Sequence, residues 1–136
     1  MNIEPIHPPR TFPVGYHDLR LAHVATIGLD PDEMVTFTSE PAREYDVVRK
    51  DWGYYATPSL AGRLKSFGFR AAVMRNRNTR HCFVVLVDET RIDSWRKYMA
   101  AEEQEIVLWL DDFATLSALP AIDPASACAA PPPPAT

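Results

Sequence analysis

The fold of this chain of 136 residues depends most on residues 49–59, where the first core strand meets the next element. This segment reads Arg49-Lys50-Asp51-Trp52-Gly53-Tyr54-Tyr55-Ala56-Thr57-Pro58-Ser59. Residues 44–49 contain the β-branched and aromatic types that favour a strand. Thr57 is a preferred helix N-cap, and Pro58 at the first helical position has no N–H to leave unpaired. The segment therefore predicts a turn from a strand into a helix.

The predicted helix covers residues 58–67. Leu60, Leu64 and Phe67 recur at helical spacing and form one apolar stripe. Gly68 follows directly, and glycine readily adopts the left-handed conformation in which helices end. We therefore expect this helix to bury its apolar stripe against a sheet.

The next elements are predicted from turn residues and apolar spacing. Residues 69–75 and 81–87 flank the run Asn76-Arg77-Asn78-Thr79, whose asparagines tolerate left-handed geometry, so the pattern predicts a β-hairpin. Thr90 can cap a second helix. On that helix, core spacing is shared by Ile92, Trp95 and Met99.

These elements together predict an α+β fold. Residues 106–110 are a short apolar run, typical of a buried strand, so the order from residue 44 onward is β-α-β-β-α-β. That order is the split βαβ, or ferredoxin-like, arrangement, in which two helices cover one face of an antiparallel sheet. Residues 33–38 add an extra N-terminal strand to the prediction.

The chain is expected to contain one domain, because its length is close to the usual size of a single domain. Residues 1–13 hold four prolines and are interpreted as an irregular arm. Residues 14–113 form the predicted α+β domain. Residues 114–136 are rich in Ala and Pro, a composition that cannot build a core, and are interpreted as a disordered tail.

Composition limits the classes of function. The net charge is −4, which disfavours nucleic acid as a partner. The chain has no apolar run of membrane-spanning length and no export signal at its N-terminus, so the expectation is a cytoplasmic protein without a membrane partner. Cys82 and Cys128 form neither a disulfide framework nor a metal-ligand pattern. Because nucleotide-binding and nucleophile motifs are also absent from the sequence, no metal and no cofactor are predicted.

The predicted binding site is an anion cradle at the start of the 58–67 helix. No acidic residue occurs between Asp51 and Asp88, so this part of an acidic chain is locally basic. Free N–H groups at a helix N-terminus attract anions, and aromatic side chains beside them offer a stacking face. The candidate ligand-binding residues are Lys50, Trp52, Thr57, Ser59, Arg63, Arg75 and Arg80. A phosphorylated or carboxylated metabolite is the predicted partner.

Three alternatives remain open. An acid–base enzyme of the isomerase, lyase or cyclase type would use Tyr54, Tyr55, His23 and Asp51 for proton transfer, and a homodimer paired through its sheets would enclose the substrate. An accessory protein-interaction module would use the proline tail as a docking peptide. The structural alternative is that residues 49–59 serve only as a helix cap and as core packing.

Overall fold

The computed structural model describes residues 1–15, 19–40 and 42–123. In this part of the chain eight strands form three small antiparallel sheets, with three α-helices between and after them. Strands account for 52% of the described residues and helices for 19%. The protein is therefore mainly β.

The first sheet is a long hairpin. Strand β1 (Asn2–Val14) pairs with β2 (Leu19–Gly28) in a register that runs from Asn2 opposite Gly28 to Val14 opposite Leu19, with one irregularity between Pro5 and Arg10. The irregular arm predicted for residues 1–13 is thus wrong. Prolines are tolerated here because β1 is an edge strand, where a missing N–H breaks no ladder on its outer side.

The second sheet has the order β3-β4-β5, formed by Met34–Ser39, Arg43–Lys50 and Gly53–Ala56. The predicted strands at residues 33–38 and 44–49 are confirmed, and they pair antiparallel. Residues 51–52 form a tight turn, after which β5 folds back onto β4 with Lys50 opposite Gly53. Both edges of β4 are therefore occupied.

The third sheet has the order β7-β6-β8 and carries four of the seven buried hydrophobic residues in the described ranges, Ala71, Ala72, Met74 and Val87. Strand β6 (Phe69–Asn76) lies between β7 (Cys82–Asp88) and β8 (Gln104–Trp109), antiparallel to both. The predicted hairpin and the predicted last strand are confirmed. Helix α2 (Ile92–Ala101) crosses from β7 to β8, after a short 3-10 turn at Glu89–Arg91.

The ferredoxin-like prediction is wrong, because its first strand never joins the sheet of the other three. In a split βαβ fold, β4 would have to pair within the β6 sheet. Here β3 pairs along most of β4 and β5 pairs with its second half, so β4 is the centre of a separate sheet. Tyr54 and Tyr55 are strong strand formers, and after the Asp51-Trp52 turn they continue the ladder instead of leading into a helix.

The predicted helix over residues 58–67 is also mostly wrong. Helix α1 spans only Arg63–Ser66, with Gly62 at its N-cap. Thr57 does not cap it, because the Thr57 backbone N–H donates to the Asp46 carbonyl at 3.1 Å and thereby extends the contact with β4. Ser59 begins a turn instead, and its carbonyl accepts from the N–H groups of Gly62 and Leu64 at 3.2 Å each. Gly68 does follow the helix with a left-handed φ of 85°.

The second helix is confirmed, but its cap differs from the prediction. Thr90 does not cap it, because α2 has Arg91 at its N-cap without a side-chain hydrogen bond. The Asp88 carboxylate caps the preceding 3-10 turn and accepts from Thr90 N at 2.9 Å. The Thr90 hydroxyl also donates to the Asp88 carboxylate, at 2.7 Å. The hydrogen bonds from Thr90 hold the pKa of Asp88 below its ordinary value. Met99 is buried on the face of α2 that covers the third sheet.

The predicted disordered tail begins with an ordered element. Helix α3 (Phe113–Ala118) is capped by the Asp112 carboxylate, which accepts from Thr115 N at 3.2 Å. Residues 124–136, including the proline run, lie outside the described residues. Among the helices of the described ranges, none is long and apolar enough to cross a membrane.

Candidate functional site

The two cations of the predicted anion site both face carboxylates. Lys50 Nζ donates to the Asp32 carboxylate, and this hydrogen bond raises the pKa of Lys50 above its ordinary value. Arg63 donates to Asp46 Oδ2 at 3.1 Å and to Thr57 Oγ1 at 3.0 Å. Since each positive group already has an acidic partner, an incoming anion would have to displace that partner.

Asp46 is the centre of a polar cluster between the second sheet and α1. Its carboxylate is mostly buried and accepts from the Thr36 hydroxyl at 2.6 Å as well as from Arg63. Arg63 also lies over the ring of Phe67, with its guanidinium carbon 5.5 Å from the ring centroid. Ser59 turns its hydroxyl towards Gly62, where a Cβ would come within 2.4 Å of it. These contacts tie α1 to β4, which is a structural role.

The aromatic residues of the same segment are exposed. Trp52 stacks against Tyr55 with 6.1 Å between ring centroids, and 68% of Trp52 is accessible to solvent. Tyr54, next to them in β5, is also exposed. Tyr and Trp are the types enriched at binding surfaces, so the predicted stacking face is present as a surface and not as a pocket wall.

Arg75 and Arg80 converge on a carboxylate rather than on a cavity. Arg75 donates twice to Glu105 Oε1, at 2.9 and 2.7 Å, and Arg80 lies 3.5 Å from the same oxygen. The hydrogen bonds from Arg75 are the main reason why the pKa of Glu105 is lowered below 4.5. The pair joins β6 to β8 across the sheet, so its first role is to hold neighbouring strands together.

This arrangement predicts a pH dependence of stability. Because the folded protein lowers the pKa of Glu105, the charged form contributes stability that is fully present above pH 4.5 and is lost as pH falls through the lower, folded value. Replacing Glu105 by Gln should leave a protein whose free energy of unfolding falls less between neutral pH and pH 3. Urea unfolding at a series of pH values measures this. Parallel pH profiles for the two proteins would contradict the prediction.

The residues predicted for proton transfer lie on two different sheets. His23 is in β2, beside Arg10, Phe12 and Leu21. Asp51 is exposed in the turn before β5, and Tyr54 and Tyr55 follow it in β5. In the described part of the chain no hydrogen bond joins His23 to any of the three. The acid–base set therefore stays a prediction.

A different cleft gathers polar and apolar residues from several elements. It has a volume of about 350 Å³ and lies between the turn end of the β1–β2 hairpin, the third sheet and the end of α2. Its apolar wall is made by Val14, Leu19, Met74 and Phe83. Its polar lining is made by Asn76, Thr79, His81, Tyr98, Glu102 and Gln104.

Asn76 organises one side of this pocket. The residue is buried, and its side-chain oxygen accepts from the backbone N–H groups of Asn78 and Thr79 at 2.9 Å each. Its amide nitrogen donates to the Glu102 carbonyl at 3.2 Å. Asn76 therefore fixes the β6–β7 loop and the end of α2 relative to each other, which positions the other lining residues.

Glu102 and Gln104 bring acceptor oxygens to the pocket wall. Glu102 is buried, and its carboxylate lies against Gly15, where a Cβ would come within 2.2 Å of Oε2. Gly15 also has a left-handed φ of 70°, so both backbone and space require glycine there. Gln104 Oε1 is buried without a hydrogen-bond partner among the described residues. Such unpaired acceptors are uncommon in folded proteins.

Sequence reasoning missed this pocket because its residues are far apart in the chain. Glu102 lies in an acid-rich stretch that is typical of a solvated surface, and Gln104 begins an apolar strand without any motif. Gly15 and the polar Asn76 were the available signals, since each marks a position where the backbone is constrained. Only the pairing of β6 with β8 brings Asn76 opposite Gln104.

A second, smaller cleft lies between α2 and the third sheet. It has a volume of about 330 Å³, is lined by Arg70, Trp95, Arg96 and neighbouring apolar residues, and contains the buried Trp95 Nε1. Within the described ranges, no group of three or more His, Cys, Asp or Glu residues is arranged to hold a metal ion.

Comparison with known proteins gives no relative for this arrangement. No protein-family model matches the chain, and neither a similar curated protein nor a similar solved structure was found.

Proposed function

We propose that the chain binds a small polar molecule with hydrogen-bond donor groups in the pocket between the hairpin turn and the third sheet. The observation that supports this most is the pocket-lining residue Gln104, whose buried Oε1 has no hydrogen-bond partner among the described residues. Leaving such an oxygen unpaired costs about 1–3 kcal/mol. A bound N–H or O–H group would remove that cost.

The chemistry of the lining indicates the class of ligand. The Glu102 carboxylate and the Gln104 carbonyl are acceptors, so they favour hydroxyl, amine or amide groups and disfavour a second anion. Met74 and Phe83 add apolar surface to the lining. A volume of about 350 Å³ is at the lower end of the range for ligand pockets. Monosaccharides, amino sugars and nucleosides are molecules of this size with these groups.

The predicted anion at Lys50 and Arg63 has less support. Binding there would replace the contacts of Lys50 with Asp32 and of Arg63 with Asp46. Helix α1 has four residues, so its dipole is too short to favour an anion strongly. This site stays a prediction. Phosphate is the probe that distinguishes binding at Lys50 and Arg63 from binding in the pocket.

The test is thermal unfolding in the presence of glucose, glucosamine and adenosine, with sodium phosphate as the anionic comparison. A ligand at one hundred times its dissociation constant stabilises the folded state by about 2.7 kcal/mol. For a domain of this size that is roughly 10 °C in melting temperature. We expect at least one of the donor-rich molecules to produce a shift, and phosphate to produce none.

The matched variants are Gln104→Leu and Val107→Thr, both on β8, of which only the first changes the pocket. Gln104→Leu should unfold at the same temperature as the wild type or higher, because it removes an unpaired buried oxygen, yet it should lose half or more of the ligand-induced shift. Val107→Thr should keep the full shift. A shift that survives Gln104→Leu unchanged would place the ligand elsewhere.

A further inference from the structure

One face of the β1–β2 hairpin is mostly apolar. Side chains alternate between the two faces of a strand, so the odd-numbered residues of β2 share a face. The register places Ile27 beside Ile3, Leu21 beside Phe12 and Leu19 beside Val14. We call this set, together with Pro5 and Ala25, the hairpin face; its polar members are the opposed Arg10 and His23.

The hairpin face is poorly covered by the rest of the described chain. Ile3, Leu19, Leu21 and Ile27 are all exposed, and Val14 and Phe12 are only partly covered. Val14 and Leu19 touch the pocket at the turn end, and His23 and Ala25 are partly covered, but Ile3, Pro5, Arg10, Leu21 and Ile27 meet solvent. A two-stranded hairpin in water is at most marginally stable without a surface to pack against.

The total area of the chain indicates how much surface remains to be covered. A folded monomer of 15.3 kDa has an accessible area of about 7,100 Å², whereas this chain has 10047 Å². The 17 residues outside the description contribute at most about 2,400 Å², the area of a fully unfolded segment of their mass. The described residues therefore expose about 7,600 Å², which is about 1,000 Å² more than the roughly 6,600 Å² of a folded monomer of their own mass and slightly above one partner's share of a standard interface.

We propose that the hairpin face is covered by the same face of a second copy of this chain. The apolar strip runs across two strands, so its occupant must present a flat apolar face, which an extended peptide added at a strand edge does not. An identical hairpin has such a face, and face-to-face packing of sheets is a standard way of burying it. A two-fold arrangement needs only this one self-complementary surface.

The first measurement is sedimentation equilibrium of the full chain over a concentration series from low micromolar to near millimolar. We expect the mass of a dimer, twice 15.3 kDa, at the higher concentrations. A monomer throughout the series would overturn the proposal and would indicate that a different protein covers the hairpin face.

Two variants on β2 separate the faces of the hairpin. Leu21 and Val24 are both exposed aliphatic residues, at 51% and 59%, but they point to opposite faces. Leu21→Glu should weaken dimer formation at least a hundredfold, whereas Val24→Glu should change it less than threefold. Neither residue lines the pocket proposed for ligand binding, so dimer formation and ligand binding can fail independently. Equal effects of the two substitutions would overturn the assignment of the face.

Hydrogen exchange of the wild-type chain gives a readout that does not depend on the folding of a variant. Amides of β1 and β2 should exchange more slowly as the protein concentration rises, because dimer formation suppresses opening of the hairpin. Amides of β3 should show no such dependence. Exchange from the hairpin that is independent of concentration, in a sample that sediments as a dimer, would place the interface elsewhere and overturn the proposal.

Discussion

Replacing Leu64 by Ala is expected to lower the free energy of unfolding by about 3 kcal/mol, within the usual range for a buried leucine. Leu64 is only 1% exposed and is the largest fully buried side chain in the described residues. It projects from α1, which packs on β6. The buried apolar residues of the described chain are few: Leu29, Leu64, Ala71, Ala72, Met74, Val87 and Met99. Because the other members cannot fill the space, most of the cavity should remain open. Urea unfolding followed by circular dichroism measures the loss.

Leu60 provides the matched control. It precedes α1 and is 37% exposed, so Leu60→Ala should cost less than about 1 kcal/mol. Similar losses for the two variants would show that α1 is not the element that closes the core.

Replacing Arg70 by Ala is expected to cost about 2–3 kcal/mol. Arg70 donates to both oxygens of Asp111, at 2.9 and 3.1 Å, and its guanidinium carbon lies 3.8 Å from the centroid of the Trp109 ring. The Asp111 side chain is only 10% exposed, so removal of Arg70 leaves a mostly buried carboxylate unpaired. Breaking a fully buried pair costs about 3–5 kcal/mol. The cost here should be lower, because Arg70 itself is partly solvated. The lost cation–π contact adds about 1 kcal/mol.

Arg96 is the control for Arg70, since both line the cleft between α2 and the sheet. Its partner Asp93 is almost fully exposed and 3.6 Å away, so Arg96→Ala should change stability by less than about 0.5 kcal/mol. Equal costs for the two arginines would mean that the geometry around Asp111 contributes little. The same urea titrations measure both variants.

Local sequence patterns predicted the elements in which residue types recur at strand or helix spacing. β-Branched and aromatic composition predicted β3 and β4, the turn residues at 76–79 predicted β6 and β7, and the spacing of Ile92, Trp95 and Met99 predicted α2. These signals are reliable because each depends on neighbours two to four residues away. The position of the candidate pocket had no comparable signal, since Gly15, Asn76 and Gln104 meet only after three elements have folded.

The segment from Arg49 to Ser59 shows where local reasoning failed. Its Thr57-Pro58 pair fits a helix start, and its Tyr54-Tyr55 pair fits a strand, so two local preferences compete within a few residues. Pairing with β4 decided the outcome, because β5 gains ladder hydrogen bonds that a strand-to-helix turn would forgo. The helix therefore begins at Arg63 and not at Pro58.

The sequence by itself determined the mainly local features: the strand-forming runs, the hairpin around Asn76 to Thr79 and the second helix. Tertiary structure alone decided which strands share a sheet, since the N–H and C=O groups at the edge of one strand can pair with those of any other strand. It also decided the state of the charges. Lys50, Arg63, Arg75 and Arg80 look like an anion site along the chain, but in three dimensions each faces Asp32, Asp46 or Glu105, because a partly buried cation is stabilised by the nearest carboxylate.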